Sequence, residues 1–336
     1  MSIIGEILKS LLNSNSMSIR DLTISSAVLL LFSLLSCQKE GTLTGEKRSI
    51  SFSTQETKSE LSTLFTDFKV WASTQSGSSK TELMPGYRVN YLSGDWTYIN
   101  GEGTDSQEEQ FWSLSIDQYH FHAGAPFAKV RDISSNSLTL DLLATTEKAN
   151  TALFTKPYTI SRSDPDFGNT VCLNFIYANC RVNVAIKCKS VSEQSISDIK
   201  LVPLPPAAYA TSCRLKIDYD WDRYSLLFTA TDRIESSKAL DFETITIPAQ
   251  TSSAIESPAP RYMIPDANVI GQWKVTLKLN GDDKEASFSI DKAWESGKSY
   301  LYRFECSDQA NLVFLGTDTD LFFGYDLENG EDHTFN

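Results

Sequence analysis

The sequence is poor in the residues that catalysis, metal binding and nucleic-acid binding most often use. It has 3 histidines in 336 residues, and none of its 6 cysteines shows the C-x-x-C spacing of a metal site. It lacks the G-x-S-x-G elbow of serine hydrolases and the glycine-rich loops that bind phosphate. The net charge of −13 argues against partners with phosphate backbones. The sequence therefore predicts a protein that is not an enzyme, holds no cofactor and binds no nucleic acid.

Long helical periodicity is also missing, whereas strict alternation of apolar and polar residues is frequent. Such alternation is typical of half-buried strands. Asn280-Gly281 is a strong hairpin signal between two of these segments. We therefore predict an all-β chain, in which the following residues share strand faces: Phe68, Val70 and Ala72; Tyr87, Val89 and Tyr91; Leu138, Leu140 and Leu142; Cys180, Val182, Val184 and Ile186; Trp273, Val275, Leu277 and Leu279.

The one long uncharged run, Leu22 to Ser36, is too short for a membrane span and lies close to the N-terminus. With Arg20 before it and small residues at its end, it predicts a signal peptide over residues 1–36, with Met17 as an alternative start. The ending Leu-Leu-Ser-Cys37 resembles the lipobox of bacterial lipoproteins, in which the cysteine is lipidated. The alternative is a plain secretory signal with a chance cysteine.

The remaining chain, about 300 residues, is long for one core and natural for two. Residues 37–48 are polar and predict a tether. Breakers between 145 and 168 separate two blocks of strands, so we predict tandem β-sandwiches over residues 49–165 and 166–336, the second with an acidic tail.

Three groups of side chains are candidates for function. His120 and His122 lie two apart, so we expect both to point away from the core; an exposed pair is a better interpretation than a metal site, since no third ligand is near. The best candidates for a ligand-contacting surface are Trp71, Trp96 and Tyr98, although such residues in a β-sandwich are more often core plugs or inter-domain contacts. The cysteines after Cys37 are predicted to be core residues, with a disulfide as the minority interpretation: Cys172, Cys180, Cys188, Cys213 and Cys306.

Beyond these local patterns, the order of motifs over about residues 48–305 resembles the fimbrillin-like lipoproteins of Bacteroidetes. In the first block the resemblance rests on Ile50-Ser-Phe52, Phe68-Lys-Val70-Trp71-Ala72, Tyr87-Arg-Val89, Trp96-Thr-Tyr98, Phe111-Trp112 and Tyr119-His-Phe121-His-Ala123-Gly-Ala125-Pro126. In the second block it rests on Leu173-Asn-Phe175-Ile-Tyr177, Arg181-Val-Asn-Val-Ala-Ile186, Arg261-Tyr-Met-Ile-Pro265 and Trp294-Glu-Ser-Gly297-Lys-Ser-Tyr300.

The resemblance implies transthyretin-like sandwiches and a pilus subunit, or a surface protein derived from one. In stalk subunits of the family a protease cuts after a basic residue, and removes the first strand together with its lipid. A strand of the next subunit then fills the groove. The family's arginine after the first strand is replaced here by Lys58, whereas Arg48 precedes that strand. This departure favours an anchor or tip subunit over a stalk subunit.

The tail resembles a donor strand, because alternate apolar residues share one face: Leu321, Phe323, Tyr325 and Leu327. The alternative is the last strand of the chain's own sandwich. We therefore expect an outer-membrane lipoprotein at the cell surface or in a fimbrium, which binds other subunits by strand exchange and adheres to a host protein or glycan. The competing hypothesis is a surface glycan-binding lipoprotein.

Overall fold

Strands make up nearly all regular structure in the computed structural model, which describes residues 47–54, 65–188, 190, 192–306 and 311–322. The chain divides into the units Met1–Glu46 and Lys47–Asn336, and all described residues belong to the second. Apart from strands, these residues form two 3-10 turns, Phe127–Lys129 and Lys148–Asn150, so the all-β prediction is confirmed. Within the same residues, no helix is long and apolar enough to cross a bilayer.

The strands are numbered in chain order. The first eleven are β1 (Phe52–Thr54), β2 (Asp67–Ser76), β3 (Ser79–Leu92), β4 (Asp95–Thr97), β5 (Gln118–Ala125), β6 (Val130–Ser134), β7 (Ser137–Leu143), β8 (Leu153–Thr155), β9 (Tyr158–Ser161), β10 (Val171–Leu173) and β11 (Phe175–Tyr177). The others are β12 (Cys180–Cys188), β13 (Gln194–Pro203), β14 (Tyr209–Asp220), β15 (Ser225–Ser236), β16 (Leu240–Phe242), β17 (Ile245–Ile247), β18 (Ile255–Glu256), β19 (Arg261–Met263), β20 (Gly271–Leu279), β21 (Asp282–Ile290), β22 (Lys298–Cys306) and β23 (Leu312–Leu321).

These strands form four sheets. Sheet 1 has the order β10-β1-β4-β3-β2-β5-β8-β11, with β9 also paired to β5. Sheet 2 has the order β18-β12-β22-β23, with β19 also on β12, and sheet 3 has the order β16-β13-β20-β21, with β17 also on β13. Sheet 4 is β15-β14-β7-β6. The predicted hairpin is confirmed, since Asn280 and Gly281 join β20 to β21 and both have positive φ, as a tight turn of this kind needs.

The alternating residues fill three cores. The first contains residues of sheet 1 and of the loops beside it, including Phe52 of β1 and Phe121 of β5, whose rings lie 6.1 Å apart. Because three strands separate β1 from β5 in the sheet order, this contact means that sheet 1 curves around its own core. The second core contains residues of sheets 2 and 3, and the third joins sheets 1 and 4.

Sheets 1 and 4 take strands from both sides of residue 165, where the sequence predicts a domain boundary. β10 and β11 follow that residue and belong to sheet 1. In sheet 4, β14 pairs with β7 from Ser137 to Leu143. The division into residues 49–165 and 166–336 stays a prediction.

A buried carboxylate connects sheet 4 to the second core. The Asp266 side chain is fully buried, and its Oδ1 accepts a hydrogen bond of 2.6 Å from Arg233 Nη2 in β15. The backbone N–H of Ala210 in β14 donates to Oδ2, and that of Asn268 donates to Oδ1. The backbone of Asp266 also exchanges two hydrogen bonds with that of Trp294, a residue of the second core. Asp266 thus links its own segment to β14 and β15 through its side chain, and to Trp294 through its backbone.

Candidate functional site

The first strand lies inside sheet 1, between two strands that come later in the chain. β1 runs parallel to β10, with Phe52 opposite Val171, and antiparallel to β4, with Phe52 opposite Trp96. The backbone before it is also held, because the N–H of Ile50 donates to the Gln110 carbonyl and the N–H of Trp112 donates to the Arg48 carbonyl. Residues 48–54 are therefore part of the folded sheet.

Side chains at alternate positions anchor this segment. Ile50 and Phe52 are 1% and 4% exposed, whereas Ser51 between them is exposed and its hydroxyl contacts that of Thr170. The Phe52 ring packs edge-on against Phe68, Tyr98 and Phe121 at centroid distances of 5.9–6.1 Å. Burying a side chain of this size stabilises a fold by about 1.5–3 kcal/mol. Without β1, sheet 1 has a vacant strand position lined by aromatic rings; we call this position the β1 groove.

Cleavage at the two candidate residues would have opposite effects on the β1 groove. Arg48 is half-buried and precedes β1, so a cut after it leaves Ile50 and Phe52 attached to the rest of the chain. Lys58 follows β1 and lies outside the described residues, as does the candidate lipidation site Cys37. A cut after Lys58 would separate β1 from everything that follows. The two positions thus correspond to a filled groove and an open one.

Only the beginning of the candidate donor strand is described. Leu321 is the last residue of β23, where it pairs with Lys298 of β22 in the chain's own sheet 2. Phe323, Tyr325 and Leu327 lie outside the described residues, so their role stays a prediction. Sequence reasoning missed Phe322, which is half-buried and stacks on Tyr177 at 4.2 Å. Because Leu321 and Phe323 share one face of the predicted donor strand, Phe322 lies on the opposite face. This position was the signal in the sequence that Phe322 packs against different residues from the other apolar side chains of the tail.

The three aromatic residues predicted to form an exposed surface are buried, so that prediction is wrong. Trp71, Trp96 and Tyr98 are 3%, 8% and 4% exposed. Trp96 and Tyr98 belong to the core of sheet 1, around the β1 groove. Trp71 points to the other face of that sheet, as its alternation with Val70 predicts, but sheet 4 covers this face. The alternative interpretation as core plugs accounts for all three.

The prediction of an exposed histidine pair is wrong for the same reason. His120 and His122 do point away from the core of sheet 1, yet they are 6% and 0% exposed. They pack against Tyr219 and Trp221 at the end of β14, beside Trp71, at centroid distances of 4.2–5.8 Å. We call these five residues the His–Trp layer.

A glycine lets sheet 4 approach this face of sheet 1. A Cβ on Gly124 of β5 would lie 2.8 Å from a methyl carbon of Val130 and 3.0 Å from one of Leu138. Such distances are shorter than van der Waals contact, so a larger residue would push the sheets apart. The close spacing of sheets 1 and 4 that buries His122 therefore depends on Gly124, two positions further along β5.

Burial keeps both imidazoles neutral. Desolvation lowers the pKa of His122 to about 3, although its Nε2–H donates to the Ser134 carbonyl at 2.7 Å. The pKa of His120 is lowered to about 4, first by desolvation and then by the charge of Lys80. His120 contacts Gln75 and Thr159 through its two ring nitrogens. The layer thus holds both histidines as neutral imidazoles at neutral pH.

We expect the free energy of unfolding to fall in mild acid, because His122 of the His–Trp layer is buried in its neutral form. The pKa of His122 is near 6.5 in the unfolded chain and about 3 in the fold, so the unfolded state binds more protons as the pH falls below 6.5. Stability is complete above pH 6.5, and His122 alone removes on the order of 2 kcal/mol between pH 7 and pH 5. Urea unfolding at pH 7, 6 and 5 measures this slope.

Two variants control this prediction. His122→Gln should reduce the pH dependence by about half even if it lowers stability at pH 7, since glutamine does not titrate whereas His120, whose pKa is lowered to about 4, still does. His333→Gln, which changes the histidine of the acidic tail, should leave the slope unaltered. A slope that is the same in wild type and His122→Gln would contradict the assignment.

Among the described residues, no three His, Cys, Asp or Glu side chains are grouped so that they could hold a metal ion. The cysteines Cys180, Cys188, Cys213 and Cys306 are buried, as predicted for core residues, and Cys172 is half-buried. Burial raises the pKa of Cys213 to about 11, so it is a thiol at neutral pH. The described residues present a packed β-structure whose chemically distinctive feature is the β1 groove.

Comparison with solved structures places the fold among bacterial fimbrial proteins. A fimbrial protein from Bacteroides vulgatus matches with a TM-score of 0.55 and 14% identity, over 82% of this chain and 99% of that chain. Chains described as candidate cell adhesion proteins also match: one from Bacteroides uniformis, with a TM-score of 0.47 and 14% identity over 82% of this chain and 99% of its own, and one from Bacteroides ovatus, with 0.46 and 10% over 84% and 99%. At these identities the likeness concerns the fold alone. No curated protein matches the chain.

The class of protein is thus an all-β protein with the fold of a fimbrial subunit. The family model for fimbrillin-like proteins matches residues 54–320, most of the chain. The protein belongs to the fimbrillin-like family, as the order of motifs in its sequence predicts.

Proposed function

We propose that this protein is a non-catalytic lipoprotein of the cell surface that serves as a fimbrial subunit of the anchor or tip type and mediates adhesion. Family membership supports a fimbrial and adhesive role. The observation that carries the finer assignment is the position of Arg48 and β1: the basic residue precedes a strand that is a built-in part of sheet 1. Processing at Arg48 removes a lipid and retains the strand.

Assembly by β-strand addition is consistent with the geometry of the β1 groove. A strand that replaces β1 would gain backbone hydrogen bonds from β10 on one side and β4 on the other. It would place an apolar side chain among Phe68, Tyr98 and Phe121. Hydrogen bonds along the strand would supply affinity, and the ring-lined pocket would supply fit.

The protein keeps its own β1 in this groove, so we assign it the role of strand donor. Its candidate donor is the tail that begins at Leu321, and its candidate acceptor is a neighbouring subunit with an open groove. The competing hypothesis of glycan binding depended on exposed rings at Trp71, Trp96 and Tyr98. These rings are buried, so no observation favours that hypothesis.

The N-terminus of the mature protein tests the anchor or tip assignment. Mass spectrometry of protein from its native cells should find either a lipidated Cys37 or a start at Ser49, and β1 is retained in both. A start at Ser59, with the preceding strand gone, would contradict the assignment and indicate a stalk subunit.

A tail variant tests donation. Deletion of residues 323–336 leaves β23 complete, so we expect a folded monomer that no longer forms denaturant-resistant ladders with protease-treated subunits. The double change Phe323→Asp and Tyr325→Asp should have the same effect, whereas Asp326→Asn, at an intervening position, should not. Intact ladders with the tail deleted would exclude it as the donor.

A further inference from the structure

The parallel pairing of β12 with β22 brings two cysteines opposite each other. The register of these strands runs from Arg181 opposite Ser299 to Cys188 opposite Cys306, so each cysteine is the last residue of its strand. Both are 4% exposed and belong to the second core. Cys306 also hydrogen bonds the Cys188 side chain. The two side chains therefore interact and lie in strand register.

The other described cysteines have different neighbours across their sheets. Cys172 lies opposite Ser53, Cys180 opposite Met263, and Cys213 opposite Leu142. The Cys180 thiol donates to the Met263 carbonyl at 3.6 Å. In the described part of the chain, Cys188 with Cys306 is thus the one cysteine pair in strand register.

We propose that Cys188 and Cys306 form a disulfide in the mature protein. Neighbouring strands lie about 4.7–4.9 Å apart, which is within the Cα separation of about 4.4–6.8 Å that a disulfide needs. Both residues are the last of the β12–β22 ladder, and Cys306 is also paired with Leu312 of β23. The bond would join two strands whose cysteines are more than a hundred residues apart in sequence.

The oxidant is a disulfide-bearing donor, such as a thiol–disulfide oxidoreductase or oxidised glutathione. One cysteine thiolate attacks a donor sulfur and releases the first donor thiol, which leaves a mixed disulfide. The second cysteine thiolate attacks the protein sulfur of that intermediate and releases the second donor thiol. The two cysteines lose two protons and two electrons, and the donor is reduced by the same two electrons.

The surroundings of the pair predict how fast it oxidises. The pKa of Cys306 is raised, first by its hydrogen bond with Cys188 and then by burial. Because the thiolate is the attacking species, oxidation should be slow at pH 7 and should accelerate as the pH rises. Formation of the bond in the cell rests on the proposed function, because a location at the cell surface is oxidising and favours disulfides.

Peptide mapping of the full chain tests the pairing without reference to location. The reduced, folded protein is treated with oxidised glutathione, and the remaining thiols are then alkylated in denaturant, which exposes the buried cysteines, before digestion with trypsin. Cleavage after Lys187, Lys189 and Arg303 places Cys188 in peptide 188–189 and Cys306 in peptide 304–336, while Cys172 and Cys180 share peptide 163–181. We expect a cross-linked species that joins 188–189 to 304–336, and complete alkylation of Cys172, Cys180 and Cys213.

Variants and native material complete the test. Cys306→Ala should abolish the cross-link and Cys180→Ala should preserve it; the oxidised wild type should also need more denaturant to unfold than the reduced form. Full alkylation of Cys188 and Cys306 in the oxidant-treated folded protein, or a cross-link to a different cysteine, would overturn the proposal. A bond that forms in vitro but is absent from protein of native cells would overturn the disulfide of the mature protein and count against the surface location, whereas failure in vitro would overturn the pairing itself, so the two failures are distinguishable.

Discussion

Replacement of Phe52 by alanine is expected to lower the free energy of unfolding by about 3–5 kcal/mol, the cost of deleting a buried phenylalanine ring. Phe52 is 4% exposed and contacts the rings of Phe68, Tyr98 and Phe121, so the cavity would open at the centre of the β1 groove. Chemical denaturation followed by tryptophan fluorescence measures the change. Ser51→Ala removes one exposed hydroxyl contact in the same strand and should change the stability little.

Peptide exchange tests whether β1 can be replaced by another strand, which is the property that distinguishes the β1 groove from an ordinary core position. A labelled peptide of residues 47–54 should exchange into Phe52→Ala much faster than into wild type, because the resident strand has lost its anchor. Phe288→Ala removes a ring of equal burial from the second core, and it should reduce stability without accelerating the exchange. Equal exchange rates in the two variants would show that β1 is no more replaceable than the rest of the fold.

Replacement of Asp266 by alanine should cost about 3–5 kcal/mol, because a fully buried carboxylate with three hydrogen bonds is lost while Arg233, 25% exposed, stays charged. The change leaves Arg233 without its carboxylate and deprives the N–H groups of Ala210 and Asn268 of their acceptors. Asp266→Asn keeps an acceptor oxygen and should fall between alanine and wild type. Thermal unfolding monitored by circular dichroism measures the series.

An exposed ion pair provides the matched control. Asp198 and Lys278 lie 2.9 Å apart with 57% and 43% of their side chains exposed, and pairs of this kind contribute little. Lys278→Ala removes this pair without changing Asp198, whose φ is positive, and should therefore leave the melting temperature almost unchanged. If Asp266→Ala were equally mild, the carboxylate would not be the connection between sheet 4 and the second core that its hydrogen bonds indicate.

Strand faces could be predicted from the sequence, because alternation is a local property. Phe68, Val70 and Ala72 share a face, and His120 and His122 point to the opposite side from Phe121, as the pattern requires. The partner of each face is a long-range property, which alternation does not contain. His122 and Trp71 were expected to be exposed because nothing in their own strands indicates that β14 covers them.

The candidate site was predictable to the same degree. The motif Ile50-Ser-Phe52 and its basic neighbour Arg48 could be identified from the sequence, and the family resemblance implied a removable first strand. That Phe52 pairs with both Val171 and Trp96 depends on the order of strands in sheet 1, which no segment specifies alone. The register that places Cys188 opposite Cys306 was hidden for the same reason, since parallel neighbours are joined by long connections.

The pairing of β1 with β10 sets the order in which the chain is able to fold. Phe52 meets Val171 across a sequence separation of more than a hundred residues, so the loop between them must close before the sheet gains these hydrogen bonds. Contacts of such high order make folding slow. During synthesis or export, therefore, the segment that carries Phe52 stays unpaired with β10 until residues 171–173 have emerged, and the N-terminal half cannot lock into its final form ahead of them.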